Sequence, residues 1–439
     1  MRGAVVAATS AMVMLVLDSS IVGVMLPSMR TDLHLGPGAQ AWIVAIYLLT
    51  LAVLLPVGGR LCDALGAART FAFGMAGFTV ASAGVGLSTA GVEIIAWRGF
   101  AGCAAALMMP AGLAMIAEVV PEDRRPGALA VYTGVGQAFA TVGPLVGGLC
   151  AQYLGWRWGF LVNVPVGIAG LALLALARPA TPRHPGRVLL DLGLFRIRPF
   201  TAAAAVLFAL GFAMTAATIY GAAALQDALH LPPAAAGAAL LPLAVPLLVA
   251  THWAARNYAR IGPRALGVRG SLALALGLAC AAAGLATDHV SVVVSALVPA
   301  GVGTGLLLSP MTSAALAATP VDRRGQASGL ISTVRQVGGV AGIAAMGALT
   351  TLHPGGVSDG LPVAIGFVLS AALMGAAAWT VARGLPRLKI AASGTSWTPV
   401  TALVCRSRRS SPGGPSTGCA RAPGAPRASG TGGCARPER

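Results

Sequence analysis

A chain of 439 residues that is 56% hydrophobic and only 10% charged, with a mean hydropathy of +0.80, does not have the composition of a water-soluble domain. The net charge of +17 would suit nucleic acid if the arginines gathered on one polar surface, but they are spread among short segments between apolar runs. Composition therefore excludes a soluble enzyme core and a nucleic-acid binder, and no alternating strand pattern supports a β-barrel.

Apolar stretches of roughly 20 residues, the length a helix needs to cross a bilayer core, recur from end to end. They predict twelve transmembrane helices at 4–28, 40–58, 70–90, 92–118, 128–152, 158–177, 200–222, 234–254, 267–286, 290–315, 326–351 and 362–382. The first run follows Arg2, as in a signal peptide, yet it carries Asp18 and precedes eleven further spans, so it reads as a retained helix. Between spans the arginines alternate. Arg2, Arg60, Arg69, Arg124, Arg125, the stretch from Arg178 to Arg198, Arg256, Arg260, Arg264, Arg269, Arg323 and Arg324 fall on one side. The opposite loops hold Arg30 and Arg157. This is the positive-inside bias; it places both termini in the cytoplasm and the protein in the cell membrane.

The loop after the fourth span, Pro121-Glu122-Asp123-Arg124-Arg125, returns 199 residues later as Pro320-Val321-Asp322-Arg323-Arg324 after the tenth. The same offset pairs Gly102 with Gly301, Gln137 with Gln336 and Gly148 with Gly347, while Leu65-Gly66 and Ile261-Gly262 close the loops after spans two and eight. Two parallel six-helix halves follow, residues 1–178 and 199–384, joined by a basic cytoplasmic linker at 179–198. From residue 385 to 439 the composition turns to Ser, Gly, Pro, Ala and Arg, and a disordered basic tail is expected.

Chemistry of other kinds finds little support. The seven cysteines and six histidines form no metal-ligand spacing, so neither metal nor cofactor is expected. Gly134 to Gly148 and Gly301-Val302-Gly303-Thr304-Gly305 lie inside apolar spans with no preceding strand, which suits close helix packing better than phosphate binding. No GxxxxGK[ST] sequence occurs and the only lysine is Lys389, so ATP hydrolysis is not the expected energy source.

Several motifs carry a resemblance. Leu17-Asp18-Ser19-Ser20-Ile21-Val22-Gly23-Val24-Met25-Leu26-Pro27 resembles the helix 1 signature of the EmrB/QacA-type drug:proton antiporters of the major facilitator superfamily. Gly59-Arg60-Leu61-Cys62-Asp63-Ala64-Leu65-Gly66 resembles the superfamily's loop 2/3 motif, and Arg98-Gly99-Phe100-Ala101-Gly102 its helix 4 motif. The run from Gly134 through Gly143-Pro144-Leu145-Val146-Gly147-Gly148 is similar to the antiporter motif of helix 5. Trp156 to Pro165 and Leu194-Phe195-Arg196-Ile197-Arg198-Pro199-Phe200 are similar to signatures of the same branch, and the six motifs occur in order over roughly residues 10–350. The chain departs from the pattern at Ala101, where Gln is usual, and at Ala64, Ala67 and Ala68, where basic residues are usual, with Arg69 nearby. Many members of this branch have fourteen spans; here one helix and the linker separate Asn163 from Leu194, so the extra pair is missing.

An intramembrane carboxylate costs about 2.5–3.5 kcal/mol on insertion scales and persists mainly where it faces a polar cavity, which singles out Asp18. Low dielectric disfavours the charged form of a carboxyl, and a carboxyl that takes up and releases a proton is what antiport requires. A guanidinium cannot shed its charge, so Arg98 needs an internal partner or water unless it snorkels outward; the resemblance implies a part in proton transfer. It also implies a gating loop of Gly59, Asp63, Gly66 and Arg69, and an antiporter motif of Gly134, Gly143, Pro144, Gly147 and Gly148 that seals one side of the cavity. Trp42, Tyr47, Gln137, Asn163 and Arg335 are candidate cavity residues, although each of the first four equally suits an interfacial anchor or an interhelix hydrogen bond. The expected function is export of small amphipathic or hydrophobic molecules in exchange for protons, by a functional monomer whose partners are its substrate, protons and the lipid bilayer. Export of an endogenous metabolite, uptake on the same fold, or a transport-inactive member are the alternatives; paired intramembrane carboxylates for an enzyme are lacking.

Overall fold

The structure, a computed structural model, describes residues 2–121, 124–177, 192–320, 323–352 and 360–385. All of them belong to one compact unit, which spans Met1–Leu388. Among them the secondary structure is helical, without a strand. In chain order the helices are α1 Arg2–Leu33, α2 Pro37–Leu65, α3 Ala67–Leu87, α4 Gly91–Val119, α5 Arg125–Leu149, α6 Arg157–Ala177, α7 Arg198–Asp227, α8 Pro233–Ile261, α9 Pro263–Ala286, α10 Val290–Ala317, α11 Arg324–Leu352 and α12 Leu361–Gly384. Eleven are long and apolar enough to cross a membrane, and α5 makes a twelfth across a 46° bend between Gly134–Ala140 and Val142–Leu154. The chain is an all-α, multi-pass membrane protein.

Each predicted span is present, and most run several residues further than predicted. Apolar windows stop where polar side chains begin, whereas a helix continues until a cap or a breaker ends it. At the ends of α2 and α8 that breaker is a single glycine. Gly66 (φ 89°, ψ 148°) and Gly262 (φ 83°, ψ 156°) occupy backbone space that is essentially closed to other residues, and each is the whole connection to the next helix. Their N–H groups still donate to the carbonyls of Cys62 and Tyr258, four residues back. In α5, Pro144 has no N–H to offer the Ala140 carbonyl, and the bend falls in the turn before it.

Small residues set the helix spacing. Gly102 of α4 lies against the Tyr47 carbonyl of α2, and its counterpart Gly301 of α10 lies against the Leu243 carbonyl of α8. Gly211 of α7 faces the α11 backbone at Arg335, while Gly338 and Gly342 face the α7 backbone at Phe208 and Phe212. With lipid as apolar as any leucine, close van der Waals approach of this kind is what holds membrane helices together. The outward surface is apolar instead of charged, as at Val53, Phe73, Leu176 and Val249.

Polar contacts tie the helices together at the end of the bundle opposite the arginine-rich loops. Arg30 of α1 donates twice to Asp227 of α7, at 2.7 and 2.9 Å, and Gln226 donates to the Val24 carbonyl at 2.9 Å. Trp156, just before α6, and Arg157, its first residue, both donate to Asp32, at 3.0 and 2.6 Å. Gln152 accepts from the Ala234 N–H at the start of α8. The linker segment 178–191 and the tail 386–439 lie outside the described residues; of the linker, Leu192–Arg196 forms one short 3-10 turn.

Candidate functional site

Near the middle of α1, Asp18 is 1% exposed, and Arg98 of α4 is equally buried. Arg98 Nη1 donates to Asp18 Oδ2 at 2.5 Å, and its Nε donates to the Ile43 carbonyl of α2 at 3.2 Å. Two aromatic faces complete the enclosure: the guanidinium carbon stands 4.3 Å from the Tyr47 ring centroid and 5.9 Å from that of Phe160 on α6. Helices α1, α2, α4 and α6 thus converge on one positive charge and satisfy it with a carboxylate, a carbonyl and two π faces. Arg98 does not snorkel. Removing two charges from water is offset only where geometry is good and the remaining hydrogen-bonding capacity is met, which this arrangement supplies.

A cavity of about 390 Å³ lies beside the pair, walled by residues of α1, α2, α4, α5, α7, α8, α10 and α11. Most of the lining is apolar, including Met12, Leu51, Met109, Met214, Leu247 and Leu308. Its polar groups are Ser19, Ser20, Tyr47, Arg98, Thr215, Thr218, Arg335 and Gln336. Asp18 is not in the lining, contrary to the expectation that it faces the cavity directly: the carboxylate bonds to Arg98, and it is Arg98 that reaches the wall. Arg335 lies in the lining, and among the described residues no side chain pairs with it, so the charged groups found at the cavity are one neutralised pair and one guanidinium.

The other expected residues divide. Tyr47 is buried in the wall of this cavity. Trp42 is 52% exposed and outside the lining, which corrects its assignment to the cavity: one turn from Tyr47 would have brought it inward, but five residues turn it to another face. Asn163 is also outside the lining; it is buried between α6 and α3 and donates to Ser82 Oγ at 3.3 Å. The side chain of Gln137 is outside the described residues. Nothing in the sequence marks Thr215 and Thr218 as lining residues, whereas Ser19 and Ser20 adjoin Asp18 in the helix 1 motif and so carry a signal.

The expected gating loop is less of a loop than its motif suggests. Gly59 and Asp63 lie in the last two turns of α2, Gly66 alone forms the connection, and Arg69 is exposed in the first turn of α3. Thr70 braces the junction, with its hydroxyl 3.1 Å from the Leu61 carbonyl and 3.2 Å from that of Gly66. Of the antiporter-motif residues, Gly143 lies against Ser20 and Gly147 against Ile21 of α1, while Gly148 lies against the Pro233 backbone and Pro144 against Gly237 of α8. Gly134 is exposed with open space beside it. No group of three or more His, Cys, Asp or Glu placed to hold a metal occurs among the described residues.

The sequence profile of the Major Facilitator Superfamily matches residues 8–343. The chain belongs to the Major Facilitator Superfamily. An uncharacterized MFS-type transporter of Mycobacterium tuberculosis is 41% identical over 174 residues, which is 40% of this chain and 30% of that protein's length. The Tetracenomycin C resistance and export protein of Streptomyces glaucescens is 29% identical over 402 residues, covering 78% of this chain and 75% of its own length. Among solved structures, a D-xylose-proton symporter superposes with a TM-score of 0.71 over 88% of this chain and 98% of its own, at 14% identity. That last likeness concerns the fold alone.

Proposed function

We propose that this member of the superfamily exports small amphipathic or hydrophobic molecules in exchange for protons. The single observation that carries the proposal is the buried Asp18–Arg98 pair at the wall of a mainly apolar cavity. With Asp18 ionised, Arg98 is held and neutralised, and the cavity presents a surface that an uncharged amphipath can wet. With Asp18 protonated, the guanidinium loses its counter-charge and stands as a free cation at the same wall. A free cation in low dielectric attracts water and repels apolar contact. Proton and substrate then compete without touching the same atom, which is the logic of antiport.

In this reading residues 1–178 and 199–384 are the two moving halves, 179–198 links them, and the arginine-rich face with both termini is cytoplasmic in the cell membrane. The contacts of α5 with α1 and α8, made through Gly143, Pro144, Gly147 and Gly148, form the seal that opens and closes on the opposite face. The Gly66 junction, with Asp63 and Arg69, is the gating element on the arginine-rich face. The chain acts as a monomer and performs no catalysis. The relative named for tetracenomycin C resistance and export supports the direction of transport.

The test is proton movement in proteoliposomes holding the full chain. Addition of a transported compound releases protons from wild type, and an imposed proton gradient drives its accumulation. Asp18→Asn, a permanent mimic of the protonated state, binds the compound more weakly than wild type and loses both effects. Proton-coupled exchange by correctly inserted Asp18→Asn at the wild-type rate overturns the mechanism.

A further inference from the structure

A second groove, about 400 Å³ in volume, opens between α7, α11 and α12 and shares no residue with the central cavity. Ala205, Phe208, Val334, Leu373 and Ala376 line it, with Thr201 and Thr380 towards the arginine-rich end of the bundle. The lining follows two helical stripes. On α7, positions 201, 205 and 208 continue back, at a step of three, to Arg198; on α12, positions 373, 376 and 380 continue forward, at the same step, to Arg383. The two helix ends meet there, since a side chain at Gly384 would lie against Ala202 and 3.7 Å from the Arg198 carbonyl oxygen.

The two helix ends at the mouth of the groove carry arginine as their only charged residue type among the described residues. Arg196 and Arg198 are exposed, and the Arg383 guanidinium lies 3.9 Å from the centroid of the Trp379 ring, itself 57% exposed. No Asp or Glu occurs in residues 192–209 or 373–385. A cation stacked on an exposed tryptophan marks the membrane–water boundary. From that boundary the groove runs about 15 Å into the apolar layer, from Arg383 to Leu373 at the helical rise, or about half the bilayer core.

We propose that this groove binds a phospholipid with an anionic headgroup. Arg198 and Arg383 hold the phosphate and the headgroup charge, and one acyl chain lies along Ala205, Phe208, Leu373 and Ala376. A free anion in water would use the arginines but leave the apolar groove uncovered; a zwitterionic lipid would fill the groove but leave the two charges without a counter-ion. Only a molecule with both parts meets the whole surface.

The experiment is native mass spectrometry of the full-length protein with dioleoyl phosphatidylglycerol or dioleoyl phosphatidylcholine, which share their acyl chains. Each arginine near an anionic headgroup is worth about fivefold in binding, so phosphatidylglycerol is retained over phosphatidylcholine by about an order of magnitude or more. R198Q/R383Q lowers that preference to near unity, and the conservative R198K/R383K keeps most of it. A205W, which fills the groove from the bilayer side and leaves both arginines in place, also loses the retained lipid. Equal retention of the two lipids by wild type overturns the proposal, as does wild-type retention by R198Q/R383Q or by A205W. Unchanged thermal midpoints of the variants in phosphatidylcholine micelles establish that the losses are local.

Discussion

Arg98 on α4 and Asp18 on α1 face each other at 2.5 Å with both side chains within 2% of complete burial, 80 positions apart in the chain. The two members are not equivalent. A carboxyl that loses its partner can take up a proton and become neutral, whereas a guanidinium keeps its charge at any working pH. Asp18→Asn therefore strands a buried cation, at about 3–5 kcal/mol, while Arg98→Gln costs less because the group it leaves behind is one that can become neutral. The expected order of thermal stability in detergent is wild type, then Arg98→Gln, then Asp18→Asn. The double variant Asp18→Asn/Arg98→Gln recovers much of the loss without regaining proton exchange. Equal destabilisation by the two single variants would show that packing, not charge, sets the cost.

On the opposite face Arg30 and Asp227 tie α1 to α7 in a two-pronged contact, with the Asp227 side chain 12% and Arg30 34% exposed. Opening of that face must break it. A partly exposed pair is worth about 0.2–1 kcal/mol, so Asp227→Asn shifts the open population by up to about fivefold. Spin labels on Thr31 and Ala228 report the shift as a longer α1–α7 distance. The swapped pair Arg30→Asp/Asp227→Arg restores the short distance if the contact is the latch.

Gly66 and Gly262 predict matched defects. Alanine at either position is forced into a backbone region that costs about 1–3 kcal/mol, and neither residue has a neighbouring loop over which to spread the strain. Gly66→Ala and Gly262→Ala lower the thermal midpoint in detergent to a similar extent. Alanine at Gly38, near the start of α2 with nothing within 4 Å of a built side chain, leaves it unchanged.

Much of this architecture is legible in the sequence because lipid imposes it. A span must be apolar for about twenty residues, arginines sort by side, and a repeat brings its packing glycines with it, as Gly102 and Gly301 do. Asp18 is legible for the same reason, since a lone carboxylate in an apolar run needs an explanation. Its partner is not, because nothing local in the sequence says which face of α4 turns towards α1. Trp42, Asn163 and the pairing of Arg30 with Asp227 across 197 positions depend likewise on helix rotation and neighbour choice, which side-chain packing decides. The gating motif misleads in a milder way: Gly59 and Asp63 continue the helix, since only Gly66 is forced to break it.

Under the proposed mechanism, Arg335 sets which charges the cavity accepts. It lies in the lining opposite a pair that is already neutral, and the lining holds no acid to balance it. A cationic ligand roughly 8 Å away, at an effective dielectric of about 20, is repelled by about 2 kcal/mol, or some thirtyfold in affinity. An anion is attracted, and the positive charge that a bound proton adds to the site attracts it further, so the two would bind together and not exchange. Exchange for protons and a lone Arg335 are jointly compatible with an uncharged amphipath that offers oxygen acceptors to the guanidinium. The check uses one aromatic scaffold in three forms, carrying a trimethylammonium, a carboxylate or a methyl ketone. Wild type exchanges protons for the ketone, binds the carboxylate more tightly as pH falls, and binds the trimethylammonium form most weakly. Arg335→Gln raises affinity for the cationic form by about an order of magnitude and abolishes the advantage of the carboxylate. Tight binding of the cation by wild type would place a counter-charge in the cavity that the fold does not hold among its described residues.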